Sequence, residues 1–257
     1  MKNLMNLTGV VAILFGLSFF FSACQDEEGV NPAPASSIEN LTLVGGGGSP
    51  YVDVYSPRVR TFGKTYNEWT IAWWNYMLSI PSDRHPINDK TGANALVGQT
   101  GPVVFLAGSL GEPVNRNINL TSDKAILVPV VTFLDQFQGT NHGSQPKPGQ
   151  TLEDFLKAEA RGVVDQASAL VIKVDGKDIR TLSDYRVTSD LFYADASPDL
   201  KDVFGSNITD EPRAAVSDGY FILLKGLKKG NHTIQLSGKI SSIGSATNVT
   251  YNIRVTK

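Results

Sequence analysis

The sequence predicts a mainly β fold, a β-sandwich or jelly-roll-like body carrying two α-helices. Three observations point there. Short runs rich in Val, Ile, Leu and Thr recur along the chain, separated by turns containing Gly, Asn and Asp. Asp175-Gly176 lies between two such runs, and this dipeptide favours a type I′ hairpin turn, whose two central residues need positive φ. Only two segments, about 66–79 and 152–167, show apolar residues at helical spacing behind a capping residue.

The first helix is expected over Tyr66–Ser79. Thr65 can cap it, Glu68 completes a capping box, and Pro81 stops it. Tyr66, Trp69, Trp73, Met77 and Ile80 share one face, and Ile71, Trp74 and Leu78 widen it past half the circumference. A helix that apolar is expected between other elements. Two readings of its tryptophans stay open. They pack a core, or Trp74, beside the polar seam, lines a ligand pocket.

Thr151 and Asp154 open the second helix, and Leu152, Phe155, Leu156 and Ala160 form its stripe. Gly162 weakens its last turn. Strands are expected at Val103–Leu106 and Ile126–Thr132, and at Ala169–Val174 with Lys177–Thr181 as a hairpin. Gly219–Lys225, His232–Ser237 and Asn248–Val255 follow. The last two alternate polar and apolar residues, the pattern of half-buried strands. Ser217-Asp218-Gly219 reads as a turn former.

The N-terminus predicts a destination. Lys2 precedes an apolar run from Gly9 to Phe21, and Phe21-Ser22-Ala23-Cys24 closes it with small residues before the only cysteine. This is the layout of a secretory signal over residues 1–23. It fits a bacterial lipobox, with Phe21 where Leu is usual. Cys24 would then carry palmitate-type acyl chains and hold the protein on a membrane. Gln25-Asp26-Glu27-Glu28 follows, an acidic run that resembles the surface-export signal of Bacteroidetes lipoproteins. Residues 24–50, with their Pro/Ala/Ser and Gly-rich stretches, are expected to be a flexible tether, and 51–257 one β-rich domain. The expected location is the cell envelope, on the outer membrane; the acidic run suggests the cell surface, and the leaflet stays open.

Without residues 1–23 the chain has 234 residues, with 22 basic and 25 acidic side chains. That balance gives no electrostatic reason to expect a nucleic-acid partner. With Cys24 acylated, no thiol remains for disulfides, thiolate-bound zinc or a cysteine nucleophile.

A series of motifs carries a resemblance. Glu68-Trp69-Thr70, Trp73-Trp74, His85-Pro86, Asp89 and Gly92 lead into Gly98-Gln99-Thr100-Gly101-Pro102-Val103 and Phe105-Leu106-Ala107-Gly108. Ser217-Asp218-Gly219-Tyr220 and Gly230-Asn231-His232-Thr233-Ile234 follow in order. From about Phe62 onward the chain resembles a widespread family of uncharacterised secreted bacterial, archaeal and fungal proteins. The resemblance implies no particular substrate. It does imply that Ala95 and Ile118 stand where relatives often carry cysteines, so that apolar contact between two strands replaces a disulfide. The motif residues crowd into the helix, the following loop and the first strand, which suggests a lined cleft.

Candidate chemistry is thin. His85, His142 and His232 are the only histidines and have no metal-ligand spacing, so no metal site is expected. Asp190, Asp195, Asp199 and Asp202 lie in a loop-rich segment that could hold calcium, the one cofactor considered. Glu68, His85 and Asp89 are the candidate acids and bases. No GxSxG elbow, P-loop, GxGxxG after a strand or HExxH is present. Asn-x-Thr at Asn40, Asn119, Asn207, Asn231 and Asn248 reads as strand-and-turn composition.

Two function classes stay open. One is an envelope module that binds a glycan, peptide or partner protein through Trp74, His85, Asp89 and Gln99. The alternative is an extracytoplasmic hydrolase using Glu68, Asp89 or His85.

Overall fold

A computed structural model describes residues 52–179, 181–204 and 211–256. The expected signal segment 1–23, Cys24, the tether 24–50 and Asn207 lie outside the described residues, as does the side chain of Asp202.

Helix α1 (Tyr66–Ser79) starts from a complete capping box. The Thr65 hydroxyl accepts from the Glu68 N–H at 3.2 Å, and the Glu68 carboxylate accepts from the Thr65 N–H at 2.6 Å. Helix α2 (Leu152–Val164) starts from the N-cap half of such a box, the Thr151 hydroxyl accepting from the Asp154 N–H at 3.0 Å. The sequence placed its end near residue 167. Instead Ala167 already pairs with Ile240 on a sheet, so the chain turns at Asp165-Gln166 and the Ala/Ser-rich run becomes strand. A four-residue helix, α3 (Lys201–Phe204), was not expected.

Among the described residues ten strands form two five-stranded sheets: a β-sandwich. In the first, β1 (Val103–Phe105) pairs in parallel with β3 (Ala125–Gln136), which pairs antiparallel with β8 (Arg213–Leu224). β6 (Arg186–Thr188) and β7 (Phe192–Ala194) both pair with β8. In the second, β2 (Val114–Leu120) runs parallel to β10 (Ser245–Val255), followed by β9 (Gly230–Ile240), β4 (Ala167–Val174) and β5 (Lys177–Asp178). Asp175 and Gly176, at φ 50° and 75°, make the β4–β5 turn.

The first sheet is the middle layer. Leu127, Phe221 and Leu223 point to α1 and join Trp69, Trp73, Trp74 and Met77 in one core. Their neighbours Ile126, Val128, Ile222 and Leu224 point the other way. They meet Ile118, Ile172, Ile234, Val249 and Ile253 of the second sheet. Burial on both faces explains why β3 reads as a continuous apolar run. The second sheet turns its other face to water, hence the alternation of β9 and β10.

Pro129 interrupts β3, and the register shifts between Pro129 and Val131. A central strand admits proline at such a bulge because no ladder N–H is required there. Beyond it, Phe133 packs with Phe155 and Leu156 of α2.

Two further expectations change. Ser217-Asp218-Gly219 is no turn; it lies inside β8. Gly219 is there because a Cβ would lie 2.6 Å from the Val131 carbonyl oxygen. Ala95 and Ile118 are both buried in the core between the sheets, but only Ile118 is on a strand. Ala95 sits in the loop after α1, which the Asn117 N–H ties to β2 through the Thr91 carbonyl at 2.8 Å.

Candidate functional site

The residues singled out around α1 are all placed, and their polar atoms are engaged inside the protein. The Trp74 indole donates to the Ser217 hydroxyl at 2.7 Å, Trp73 to the Leu106 carbonyl at 2.9 Å, and Trp69 to the Thr61 carbonyl at 2.9 Å. All three are buried. Gln99 fills out the edge of β1: its amide donates to Phe105 O at 2.8 Å and accepts from Phe105 N at 2.6 Å.

His85 is 0% exposed. Its Nε2 lies 2.8 Å from the Met77 carbonyl and its Nδ1 accepts from the Ile87 N–H at 3.2 Å. Those partners select the neutral Nε2–H tautomer. Burial holds the ring below its ordinary pKa, and the nearby Arg116 cation adds to this. No lone pair is left for a metal or a substrate proton. Asp89 accepts from the N–H groups of Thr91, Gly92 and Asn94 at 2.8, 2.9 and 2.8 Å. Burial pushes its carboxyl up, but those donors outweigh burial and hold it below the usual range. Glu68 closes the capping box and meets Arg60 at 3.2 Å. Glu68, His85 and Asp89 are thus held as a helix cap, a loop anchor and a turn former, and neither surface cleft described below includes them.

The three histidines occupy separate places. His142 faces Asp135 at 3.6 Å, and His232 meets Asp175 at 2.7 Å. Among the described residues no group of three His, Cys, Asp or Glu side chains gathers as a metal site. Of the aspartates considered for calcium, Asp199 accepts from Ser197 Oγ, Ser82 Oγ and Ser82 N, each at 2.7 Å. Those bonds take its carboxyl down to about 2. Asp190 bonds Asn67 and Lys157.

The open polar surface lies elsewhere, on the outer face of the second sheet. β2, β10 and β9 present two rows there in register. Asn117, Asn252 and Thr233 form one; Asn119, Arg254 and Asn231 form the next. With Asp175 and His232 at the rim they line a cleft of about 350 Å³. A second cleft, of about 250 Å³, is lined by Leu96, Gln99, Leu120 and Lys124 among others. The face also explains the Asn-x-Thr triplets. Asn231 with Thr233, and Asn248 with Thr250, are next-but-one residues on the outward side of a strand.

No family profile, curated protein or solved structure matches this chain. The site therefore rests on its own geometry.

Sequence reasoning missed Arg116, Asp135, the ion pair of Asp218 and the gathering of Asn residues into rows. β2 was hidden because its inward positions include Arg116 and its outward ones are all Asn. Asp135 and Asp218 sit on strands whose apolar neighbours drew the eye. Arg186 donates to Asp218, which is 0% exposed, at 2.6 Å, and to Asp165 at 2.6 Å. It also reaches the Arg161 carbonyl at 3.0 Å, tying the end of α2 to β8.

Proposed function

We propose that this protein is an outer-membrane lipoprotein, held by acyl chains on Cys24, whose β-sandwich binds a glycan, peptide or envelope protein on the outer face of the second sheet. The observation that carries the binding role is the cleft over β2, β10 and β9, lined by exposed amides and Arg254. Trp74, His85 and Asp89 are buried and only Gln99 of that group reaches a cleft, the smaller one, so the ligand face in this reading is the outer face of the second sheet. No helix among the described residues is long and apolar enough to cross a membrane. The anchor in this reading is Cys24 with its lipobox-like sequence.

Two experiments test it. An alkyne fatty acid fed to producing cells should label the wild type and not Cys24→Ala; equal labelling would remove the anchor. Envelope glycans and extracts should retain the full chain, with retention reduced by alanine at Asn117, Asn119 and Arg254 together. Unchanged retention would remove the face.

A hydrolase remains the second reading, and one observation favours it. Asp135 and His142 form a carboxylate–imidazole pair with side chains each 10% exposed. Burial pushes the Asp135 carboxyl up to about 6, a value suited to acid–base work. Hydrolysis of envelope polymers abolished in both Asp135→Asn and His142→Gln would promote it.

A further inference from the structure

We propose that the cleft on the outer face of the second sheet takes a carboxylated sugar, a uronic acid unit of a longer glycan. Arg254 would grip the carboxylate, and Asn119 and Asn231 the neighbouring hydroxyls. This rests on the binding-module reading and narrows it to one ligand class.

Arg254 stands on the central strand of the three, directly between Asn119 and Asn231. All three are exposed. Among the described residues none of the three side chains has a hydrogen-bond or ion-pair partner. Contrast Arg116 and Arg186, whose guanidinium groups are fully engaged within the fold. In the adjoining row the Asn252 amide donates to Asn117 at 3.1 Å, which pre-sets that pair and still leaves Asn117 both N–H donors. Neighbouring strands are about 4.8 Å apart, and same-face residues about 6.8 Å apart along a strand. The grid is therefore roughly 10 by 7 Å, the footprint of one pyranose ring with its substituents.

The lining argues for the chemistry. Its apolar members, Ile118 and Ile253, have side chains buried in the core, so what they offer the cleft is backbone. Among the described lining residues no Trp, Tyr or Phe offers a platform for stacking a neutral ring. Amides and a hydroxyl suit a ligand covered in hydroxyls, and a guanidinium fork suits a carboxylate, two oxygens for two N–H groups. One cation matches one negative charge. His232 adds none to the ligand, since its ring is bound to Asp175 at 2.7 Å and to the Lys228 carbonyl at 2.8 Å. Asp175, the one carboxylate among the described lining residues, is held by that ring and by the Thr233 N–H at 2.8 Å. A doubly charged phosphate monoester would meet too little positive charge here.

The test titrates the full chain by calorimetry with trisaccharides of galacturonate, glucuronate and mannuronate, their methyl esters and a neutral galactose trisaccharide. At least one acid should bind, and its methyl ester should bind at least about tenfold more weakly, as expected for loss of a charge-assisted pair. Arg254→Gln, on an exposed strand position, should impose the same loss with an unchanged circular dichroism spectrum, while Arg254→Lys recovers part of it. Equal binding of acid and ester, or acid binding untouched by Arg254→Gln, overturns the proposal. So does tighter binding of a peptide with a free C-terminal carboxylate. If the neutral trisaccharide binds this face as well as the acids do, the uronate assignment falls and the binding module stands. If no sugar, peptide or envelope extract binds this face, both fall.

Discussion

Arg116 donates through Nη1 to the Tyr251 hydroxyl at 2.6 Å, and both side chains are fully buried between the sheets. Among the described residues no carboxylate is in hydrogen-bond contact with the guanidinium. It is satisfied instead by the carbonyls of Asp89 at 2.7 Å, Ala107 at 2.9 Å and Ile87 at 3.2 Å. The hydroxyl in turn donates to the Ala107 carbonyl at 2.7 Å and accepts from its N–H at 3.1 Å. One cation thus gathers the loop after α1, the end of β1 and the middle of β10. Tyr251→Phe leaves these groups short of partners and is expected to cost about 1–3 kcal/mol. Arg116→Met takes the side-chain donor from the Asp89 and Ile87 carbonyls, while Ala107 keeps the Tyr251 hydroxyl, and is expected to cost about 3–5 kcal/mol. Urea unfolding of both single variants and the double variant should show coupling above about 0.5 kcal/mol. Additive losses would mean that the two residues act apart.

This arrangement shows where the sequence was readable. Capping residues, the Asp175-Gly176 turn and the alternation of β9 and β10 are local signals, and each marked its element. The continuous apolar run of β3 marked a strand buried on both faces. Arg116 could not be read the same way. Its partners are backbone carbonyls from distant segments, and carbonyls carry no side-chain signature. The cleft was equally hidden, because Asn119, Arg254 and Asn231 come from three strands and meet only through their register. The reverse held around α1. Trp, His, Asp and Gln concentrated in one stretch suggested a cleft; the structure packs the tryptophans in a core, fastens a loop with His85 and Asp89, and sets Gln99 on the edge of β1, where it lines the smaller cleft.

Arg186 and Asp218 should behave as a buried pair. Asp218 is wholly enclosed, while Arg186 is partly open at the end of α2. Arg186→Leu leaves the carboxylate uncompensated and is expected to cost about 3–5 kcal/mol. Arg186→Leu with Asp218→Asn should recover part of that. Amide exchange in the last turn of α2 should quicken in the single variant, since the Arg161 carbonyl and Asp165 lose their common donor. Unchanged exchange there would show that the helix end is held by packing alone.

Gly92 makes a steric prediction. It sits at φ 100°, and a Cβ there would lie 2.5 Å from the Asn117 carbonyl oxygen. Gly92→Ala combines an unfavourable backbone region with a clash against β2, together about 2–4 kcal/mol. The Asp89 turn also contains the Gly92 N–H, so the variant should shift Asp89 and Arg116 resonances while sparing those of α2. A melting temperature within a degree or so of wild type would refute the close approach.

The sharpest pH dependence should come from Asp135. Burial raises its carboxyl from 3.8 to about 6, Glu159 adds to the rise, and the facing His142 opposes it. Between those two values the unfolded chain has released the proton while the folded protein keeps it. The unfolded state then binds fewer protons, so stability falls as pH rises through this window and stays lowered above it. Asp135→Asn has no charge to bury. It should flatten the pH profile between about 4 and 6 and raise stability at pH 8 by about 1–2 kcal/mol. Glu159→Gln should lower the Asp135 midpoint, read directly from its carboxyl carbon resonance. A midpoint near 4 in the wild type, or an Asn variant less stable than wild type at pH 8, would mean that the carboxylate's contacts in the fold outweigh the cost of burying it.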